Sequence, residues 1–211
     1  MEAALADLLT HAASADRAHE ADDRTSERIL DAAVQEAAAV GLDRLTVEDV
    51  VRRAGIARMT VYRRFPRRDD LVQALILRES QRFLAAVAAA LDGAADANDE
   101  VADAFVVAVR FARKHPMLRR VAENEPGAFT ESVAADDAAL LGMGTAFIAR
   151  HIHGERPGTP SRRAQWVADS LARLFLTYVA IPPTSPAPES DEQLRRFARE
   201  VLTPLVELAA R

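Results

Sequence analysis

Apolar side chains recur every three or four residues along most of this chain of 211 residues, which is the spacing at which an α-helix buries one face. Alternating polar and apolar positions, which mark a half-buried strand, never extend far enough to build a sheet. The pattern therefore predicts an all-α protein of about nine helices. Three short helices come first, and six or so longer ones follow.

The three N-terminal helices are predicted from residues that start and stop helices. The first covers residues 25–40 and ends at Gly41, because glycine tolerates the left-handed backbone that closes a helix. Thr46 can cap the second helix, and Gly55 ends it. A third helix is predicted over residues 58–64. Two short helices joined by a glycine-containing turn have the form of a helix-turn-helix.

The later helices are predicted from the same kinds of signal. They begin near residues 69, 101, 116, 130, 160 and 190. Thr159 is the predicted cap of the helix that begins at 160, and Ser190 with Gln193 forms a capping box at the start of the last helix. Pro204 lies inside that last helix and predicts a kink.

Composition excludes several classes of protein. The chain has no cysteine, so it has no disulfide scaffold, no cysteine zinc site and no thiol nucleophile. Its longest apolar run is residues 83–91, far short of the roughly 18 residues that a membrane span needs. The acidic first residues do not resemble a signal peptide. We therefore expect a cytoplasmic protein that does not bind a membrane.

The formal net charge of −5 hides an uneven distribution. Seven arginines and no acidic residue lie between Arg52 and Arg68, which leaves the other 194 residues with a formal charge of −12. Residues 1–23 hold six acids and few large apolar side chains, and we interpret them as a flexible acidic arm. A short basic segment inside an acidic protein is the first place to look for a function.

The basic segment coincides with the helix-turn-helix, and this favours DNA binding. The second helix of such a motif enters the major groove with its first residues near base edges and its flanks near phosphates. A solvated arginine surface is the alternative, but Ile56, Val61 and Phe65 interleave with the arginines at spacings that bury one side. The candidate DNA contacts are Thr46, Arg58, Met59, Thr60, Tyr62, Arg63, Arg64 and Arg68.

Residues 29–75 carry a set of motifs typical of one family. The pattern A-x-x-x-G-x-x-x-x-T falls at residues 37–46, A-G-I at 54–56 and T-V-Y-R-R-F at 60–65. In these features the segment resembles the N-terminal domain of the TetR family of bacterial transcriptional regulators. Residues 66–69 depart from the commonest pattern of that family, because they carry more arginine.

The resemblance implies a homodimer that binds a double-stranded DNA operator with inverted repeats. It also implies a small molecule that binds the C-terminal domain and weakens DNA binding. The DNA contacts are implied at the eight positions named above. The acidic arm over residues 1–23 lies outside the family pattern. The resemblance implies a DNA-binding domain over 24–68 and an effector-binding and dimerisation domain over 69–211.

The C-terminal half offers candidates for both a dimer interface and a ligand pocket. Residues 164–179 and 194–208 each present a broad apolar face, which is core in a monomer and interface in a four-helix dimer contact. The candidate interface residues are Leu171, Leu174, Phe197, Val201 and Leu205. The candidate lining of a pocket for a small hydrophobic effector is Phe105, Val109, Met117, Phe129, Met143, Phe147, Trp166, Phe175 and Tyr178. Ordinary core packing is the alternative for each of them.

The sequence carries no pattern typical of an enzyme or a metal site. It lacks a glycine-rich phosphate loop and a nucleophile elbow. His151 and His153 lie two residues apart on a predicted helix, so they face different sides and do not form a metal site together. We expect no cofactor, no metal and no catalytic activity.

The hypothesis that these observations favour is a repressor that binds a palindromic operator as a dimer and is released by a small hydrophobic effector. One alternative is an effector-independent DNA-binding regulator or activator. A less favoured alternative is a small-molecule-binding protein or enzyme whose basic segment binds anionic substrates.

Overall fold

A computed structural model describes residues 23–94, 97–124, 139–180, 188 and 190–210. These residues form nine helices and no strand, which confirms the predicted all-α class. The acidic arm up to residue 22 and the pocket candidate Phe129 lie outside the described residues.

The helices have the following bounds. They are α1 (23–40), α2 (Val47–Ala54), α3 (Arg58–Arg64), α4 (Arg68–Asp92), α5 (Ala97–Lys114), α6 (Pro116–Asn124), α7 (Ala139–His153), α8 (Arg162–Ala180) and α9 (191–210). The last of these is one continuous helix of three segments, with α-helical Asp191–Phe197, π-helical Ala198–Leu202 and α-helical Thr203–Ala210.

The chain forms two compact units, and the division falls inside α4, between Ile76 and Leu77. The first unit contains α1, α2, α3 and the first turns of α4. Each helix contributes at least one fully buried side chain to it, namely Ile29, Val50, Val61 and Leu71. The apolar positions that predicted the helices are therefore the ones that the unit buries.

Local signals fix the ends of α2 and α3. The Thr46 hydroxyl oxygen accepts the N–H of Asp49 at 3.2 Å and caps α2 as predicted. Gly55 closes that helix with a left-handed φ of 62°. Helix α3 ends at Arg64, and Phe65 leaves the helical conformation, with φ of −127° and ψ of 81°, because proline at 66 disfavours helical backbone in the residue before it.

The second unit is built around α5, α8 and α9. Its largest cluster contains Ala102, Phe105, Val106 and Val109 of α5 and Leu194, Ala198 and Leu202 of α9. A second cluster joins the C-terminal half of α4 to α5, α7 and α8, where Phe83 stacks on Phe175 with ring centroids 5.0 Å apart. A third cluster, Ile152, Ala164 and Ala209, lies where α7, α8 and α9 meet.

Two predicted helix starts are corrected. The Ser161 hydroxyl, not that of Thr159, caps α8, because it lies three residues before Ala164 and accepts that N–H at 3.1 Å. Helix α5 begins at Ala97, four residues before the predicted start. The helix predicted from residue 130 is described only from Ala139, and residues 125–138 lie outside the described part.

The start of the last helix agrees with its prediction, and the structure adds a π-helical segment before Pro204. The capping box of Ser190 and Gln193 is formed, with both of its hydrogen bonds present. Pro204 does not interrupt the helix. The five-residue π segment lies before it, and the N–H of Thr203 donates to the carbonyl of Ala198, five residues back.

A buried charged cluster ties α4 to the junction of α5 and α6. Glu79 Oε2 lies 3.0 Å from His115 Nε2, and Arg78 Nε donates to Glu79 Oε1 at 2.7 Å. Burial raises the pKa of Glu79, but the hydrogen bond with His115 and the charge of Arg78 outweigh it and hold the pKa below its ordinary value. Glu79 is therefore a carboxylate at neutral pH.

Candidate nucleic-acid interface

Helix α3 presents one face to the core and the other to solvent. Val61 is fully buried and anchors the helix, while Met59 is 80% exposed. Arg58 and Arg63 are exposed as well, and Thr60 and Tyr62 are half-buried. The predicted contact residues of α3 therefore lie at or next to the surface that could meet a groove.

A carboxylate on α2 joins two of these side chains. The Tyr62 hydroxyl and Arg58 Nη2 both donate to Glu48 Oε1, the latter at 3.2 Å. The Arg58 guanidinium also lies over the Tyr62 ring, 5.2 Å from its centroid. The Tyr62 hydrogen bond lowers the pKa of Glu48, and the same bond raises the pKa of Tyr62.

Sequence reasoning missed Glu48, because ten and fourteen residues separate it from its partners. The only sequence signal is its position in the first turn of α2, where an acid is ordinarily explained by the helix dipole. Its contact with α3 follows from how α2 and α3 pack.

Most of the seven arginines between Arg52 and Arg68 have partners. Five of them pair with carboxylates, which are Arg52 with Asp49, Arg53 with Glu36, Arg58 with Glu48, Arg67 with Asp70 and Arg68 with Asp69. Arg64 Nε donates to the Ser26 hydroxyl at 3.1 Å. Within the described residues, Arg63 alone among the seven makes no hydrogen bond or ion pair. The segment is therefore far less cationic than its sequence suggests.

Two further candidate contacts have structural partners. The Thr46 hydroxyl donates to Asp49 Oδ2 at 2.6 Å besides capping α2. Arg68 donates from Nε to the carbonyl of Leu45 at 3.0 Å and from Nη2 to that of Leu42 at 2.6 Å. Arg68 thus fastens the start of α4 to the segment between α1 and α2.

Two sequence models of one family match this chain. The model described as "Bacterial regulatory proteins, tetR family" matches residues 29–75, which contain α2 and α3. The model described as "Bacterial Tetracyclin repressor, C-terminal domain" matches residues 96–199. This chain belongs to the TetR family of bacterial transcriptional regulators. As a TetR-family protein it is a DNA-binding regulator, and the family is not one of enzymes.

Relatives of this TetR-family chain extend over most of its length. The transcriptional regulator AlkX of Mycobacterium tuberculosis is 28% identical over 171 residues, which are 77% of this chain and 76% of AlkX. The crystal structure of the repressor AlkX from a Dietzia strain, implicated in biodegradation of n-alkanes, superposes with a TM-score of 0.62 at 19% identity. That match covers 88% of this chain and 97% of the Dietzia protein.

A second solved structure shares the fold. The fatty acid degradation regulator FadR from Bacillus halodurans superposes with a TM-score of 0.51 at 17% identity. The match covers 88% of this chain and 94% of FadR. At such identities the two superpositions show a common TetR-family fold.

The structure distributes the predicted pocket residues over several places. Phe105, Val109 and Tyr178 belong to the cluster around α5, α8 and α9, and Phe147 and Phe175 to the second cluster. Met117 is buried and Met143 is half-buried. Trp166, by contrast, is 66% exposed and lies on the surface of α8.

The predicted interface residues fall into two groups. Leu171, Leu174 and Phe197 are half-buried and pack against the largest cluster. Val201 and Leu205 are 44% and 41% exposed, and Leu208 on the same face of α9 is 53% exposed. The Arg163 guanidinium donates to the backbone carbonyl of Leu208 at 3.4 Å, so the first turn of α8 lies near the C-terminal end of α9.

An open groove lies where α5 meets α6. It has a volume of about 440 Å³ and is lined by Val107, Arg110, Phe111, Lys114, His115 and Pro116. Its lining combines apolar side chains with two cationic ones. None of these six was in the predicted pocket set.

The described residues contain no group of three or more histidine, aspartate or glutamate side chains arranged to hold a metal ion. His151 Nε2 lies 3.6 Å from Glu100 Oε2. No helix in the described part of the chain is both long enough and apolar enough to cross a bilayer.

The contacts of Arg68 predict a loss of stability when its side chain is removed. Arg68→Ala should lower the free energy of unfolding by about 1–3 kcal/mol, because two carbonyl acceptors lose a charged donor. Urea denaturation followed by circular dichroism measures this change. Arg67→Ala is the matched control, since its exposed pair with Asp70 contributes at most about 1 kcal/mol. Equal stability of the two variants would contradict the structural role of Arg68.

Proposed function

We propose that this TetR-family regulator is a repressor that binds an operator of two inverted half-sites as a homodimer and is released by a small hydrophobic effector. The observation that carries the DNA-binding part is the exposed side of α3. Val61 holds the helix to the unit, and Met59 and Arg63 extend away from it. A helix held in this way fits the major groove of B-DNA, which is roughly 12 Å wide.

The hydrogen-bond and ion-pair partners of the arginines suggest which of them contact bases and which contact phosphates. Arg63, which makes no hydrogen bond or ion pair within the described residues, can donate two hydrogen bonds to O6 and N7 of guanine. Arg58, Met59, Thr60 and Tyr62 complete the surface that faces the bases. Thr46, Arg64 and Arg68 flank it, and we assign them to phosphates, which position a protein on the duplex without reading sequence. The proposed DNA-binding domain covers residues 24–68.

The exposed apolar face of α9 supports a dimer. Val201, Leu205 and Leu208 lie on one side of the helix, where they expose apolar surface to water in a single chain. Trp166 lies one turn from Arg163, which contacts this part of α9. We assign Trp166 to the interface rather than to a pocket, because a two-fold contact between copies would bury it together with the α9 face. Residues 69–211 form the proposed effector-binding and dimerisation domain.

The groove between α5 and α6 supports the effector part of the proposal. Its volume is within the range of small-molecule sites, and Val107, Phe111 and Pro116 supply an apolar part of its lining. The Dietzia repressor is implicated in n-alkane biodegradation, and FadR regulates fatty acid degradation. Both concern compounds with a linear hydrocarbon chain, and we propose an effector of that class.

Operator binding is tested with duplexes selected from a randomised pool by the full-length protein. Affinity should fall steeply as salt rises, and the selected sequences should contain two half-sites related by a two-fold axis. Arg63→Ala should cost about 1–3 kcal/mol of binding and relax preference at one base position in each half-site. Arg119→Ala, an exposed change on α6, is the control. An equal loss on every sequence would refute base reading by Arg63.

Dimerisation is tested by placing a charge on the apolar face of α9. Leu205→Glu should shift the protein from dimer to monomer in sedimentation velocity, because burying two unpaired carboxylates at a symmetric contact is unfavourable. Affinity for the two-half-site operator should then fall about 100-fold, because two separate monomers bind the half-sites independently, whereas a dimer binds both at once. Gln81→Glu adds the same charge at an exposed position of α4 and should change neither property. A dimer that survives Leu205→Glu would place the interface elsewhere.

The effector class is tested with n-alkanols and n-alkanoic acids of increasing chain length. A compound that binds only the native protein raises its stability by about 2.7 kcal/mol at 100 times its Kd. We expect the melting temperature to rise with chain length and the same compounds to release the operator. Melting temperatures that no member of the series changes, with operator binding intact, would favour the effector-independent regulator.

A further inference from the structure

Glu48 places a negative charge beside the surface that is proposed to meet DNA. Its side chain is 56% exposed, and α3 itself contains no acidic residue. A carboxylate near phosphates weakens binding to every sequence alike, because like charges repel. An acid in this place therefore has a cost, and its contacts indicate what offsets that cost.

The contacts restrict two side chains that are otherwise free to move. Arg58 has a long flexible stem and is 67% exposed, so alone it would sample many rotamers. Glu48 accepts one of its N–H groups at 3.2 Å, and the Tyr62 ring lies under the guanidinium. A guanidinium has five N–H donors, so Arg58 keeps donors for a base edge while it stays paired.

We propose that Glu48 is a positioning residue that sets DNA sequence preference, by holding the Arg58 guanidinium and the Tyr62 hydroxyl in one arrangement on the groove-facing side of α3. The inference rests on the proposed entry of α3 into the major groove. A fixed guanidinium discriminates between bases better than a mobile one, because the wrong base then loses hydrogen bonds that the side chain cannot re-form elsewhere.

The proposal predicts two changes of opposite sign when the carboxylate is removed. Binding to unrelated DNA should become tighter, because a repulsive charge is gone. Discrimination between the operator and its single-base variants should become weaker, because Arg58 is no longer held. If Glu48 only repels DNA, its removal causes only the tighter binding to unrelated DNA. If Glu48 only stabilises the first turn of α2, its removal lowers the melting temperature and causes neither change in binding.

The test compares full-length wild type with Glu48→Gln, Glu48→Ala and Asp43→Asn on three kinds of duplex. These are the sequence that wild type selects from a randomised pool, its single-base variants and an unrelated duplex. Glu48→Gln should bind the unrelated duplex more tightly and lose about tenfold in discrimination at one base position. Asp43→Asn removes the same charge from the exposed turn after α1 and should leave discrimination unchanged.

A double-mutant cycle identifies the side chain through which Glu48 acts. In an Arg58→Ala background, Glu48→Gln should cause no further loss of discrimination, because the group that it positions is missing. Tyrosine NMR supplies a second measurement, since the chain has only two tyrosines. Glu48→Gln should lower the pKa of Tyr62 toward its ordinary value, because the hydrogen bond to Glu48 raises it.

Several results would overturn the proposal. They are unchanged discrimination in Glu48→Gln, a discrimination loss that Asp43→Asn reproduces, and losses that simply add in the double variant. Failure of wild type itself to discriminate between sequences would instead refute the proposed function of α3, and the proposal on Glu48 with it. The wild-type measurement therefore separates the two failures.

Discussion

A helix of seven residues is not stable by itself in water, because the first hydrogen-bonded turn costs more conformational entropy than so few residues regain. Helix α3 therefore depends on burial of Val61, on Gly55, which ends α2 three residues before α3 begins, and on the buried Phe65 that follows it. The candidate DNA contacts on α3 take their positions from that packing. The rest of the first unit, with its fully buried residues on α1, α2 and α4, gives α3 a surface to pack against.

The second constraint is electrostatic. Seven arginines in 17 residues suggest a strongly cationic surface, yet five of them already pair with carboxylates. The exposed pairs among them are weak in water, so phosphates could replace Asp49, Asp69 and Asp70 without a large penalty. The Glu36 partner of Arg53 is buried, and Glu48 is proposed to stay on Arg58. Such an exchange of a carboxylate for a phosphate favours DNA contacts that match the arginines in geometry as well as in charge. In the proposed DNA interface, paired arginines would gain selectivity where a free cationic surface would bind any polyanion.

Local signals explain why so much of the fold could be predicted from sequence. Thr46, Gly55, Ser190 and Gln193 act on backbone groups within a few residues, so their effect is visible in the sequence itself. The prediction of Thr159 as the cap of α8 is wrong because threonine and serine are both suitable caps, and only the backbone path selects Ser161. The contact between Glu48 and α3 depends on how two helices pack, which spacing along the chain does not encode.

Apolar periodicity has a similar limit in the C-terminal unit. It identifies positions that water should not reach, and core, ligand pocket and subunit interface satisfy that condition equally well. Phe105 and Trp166 were predicted for the same pocket, yet Phe105 is buried among α5, α8 and α9, and Trp166 is 66% exposed in the single chain. Exposure in the isolated fold distinguishes them, since a buried side chain already has its partners and an exposed indole leaves apolar surface in contact with water. The pattern thus predicted which residues are apolar contacts, and the fold supplies the information about what each of them contacts.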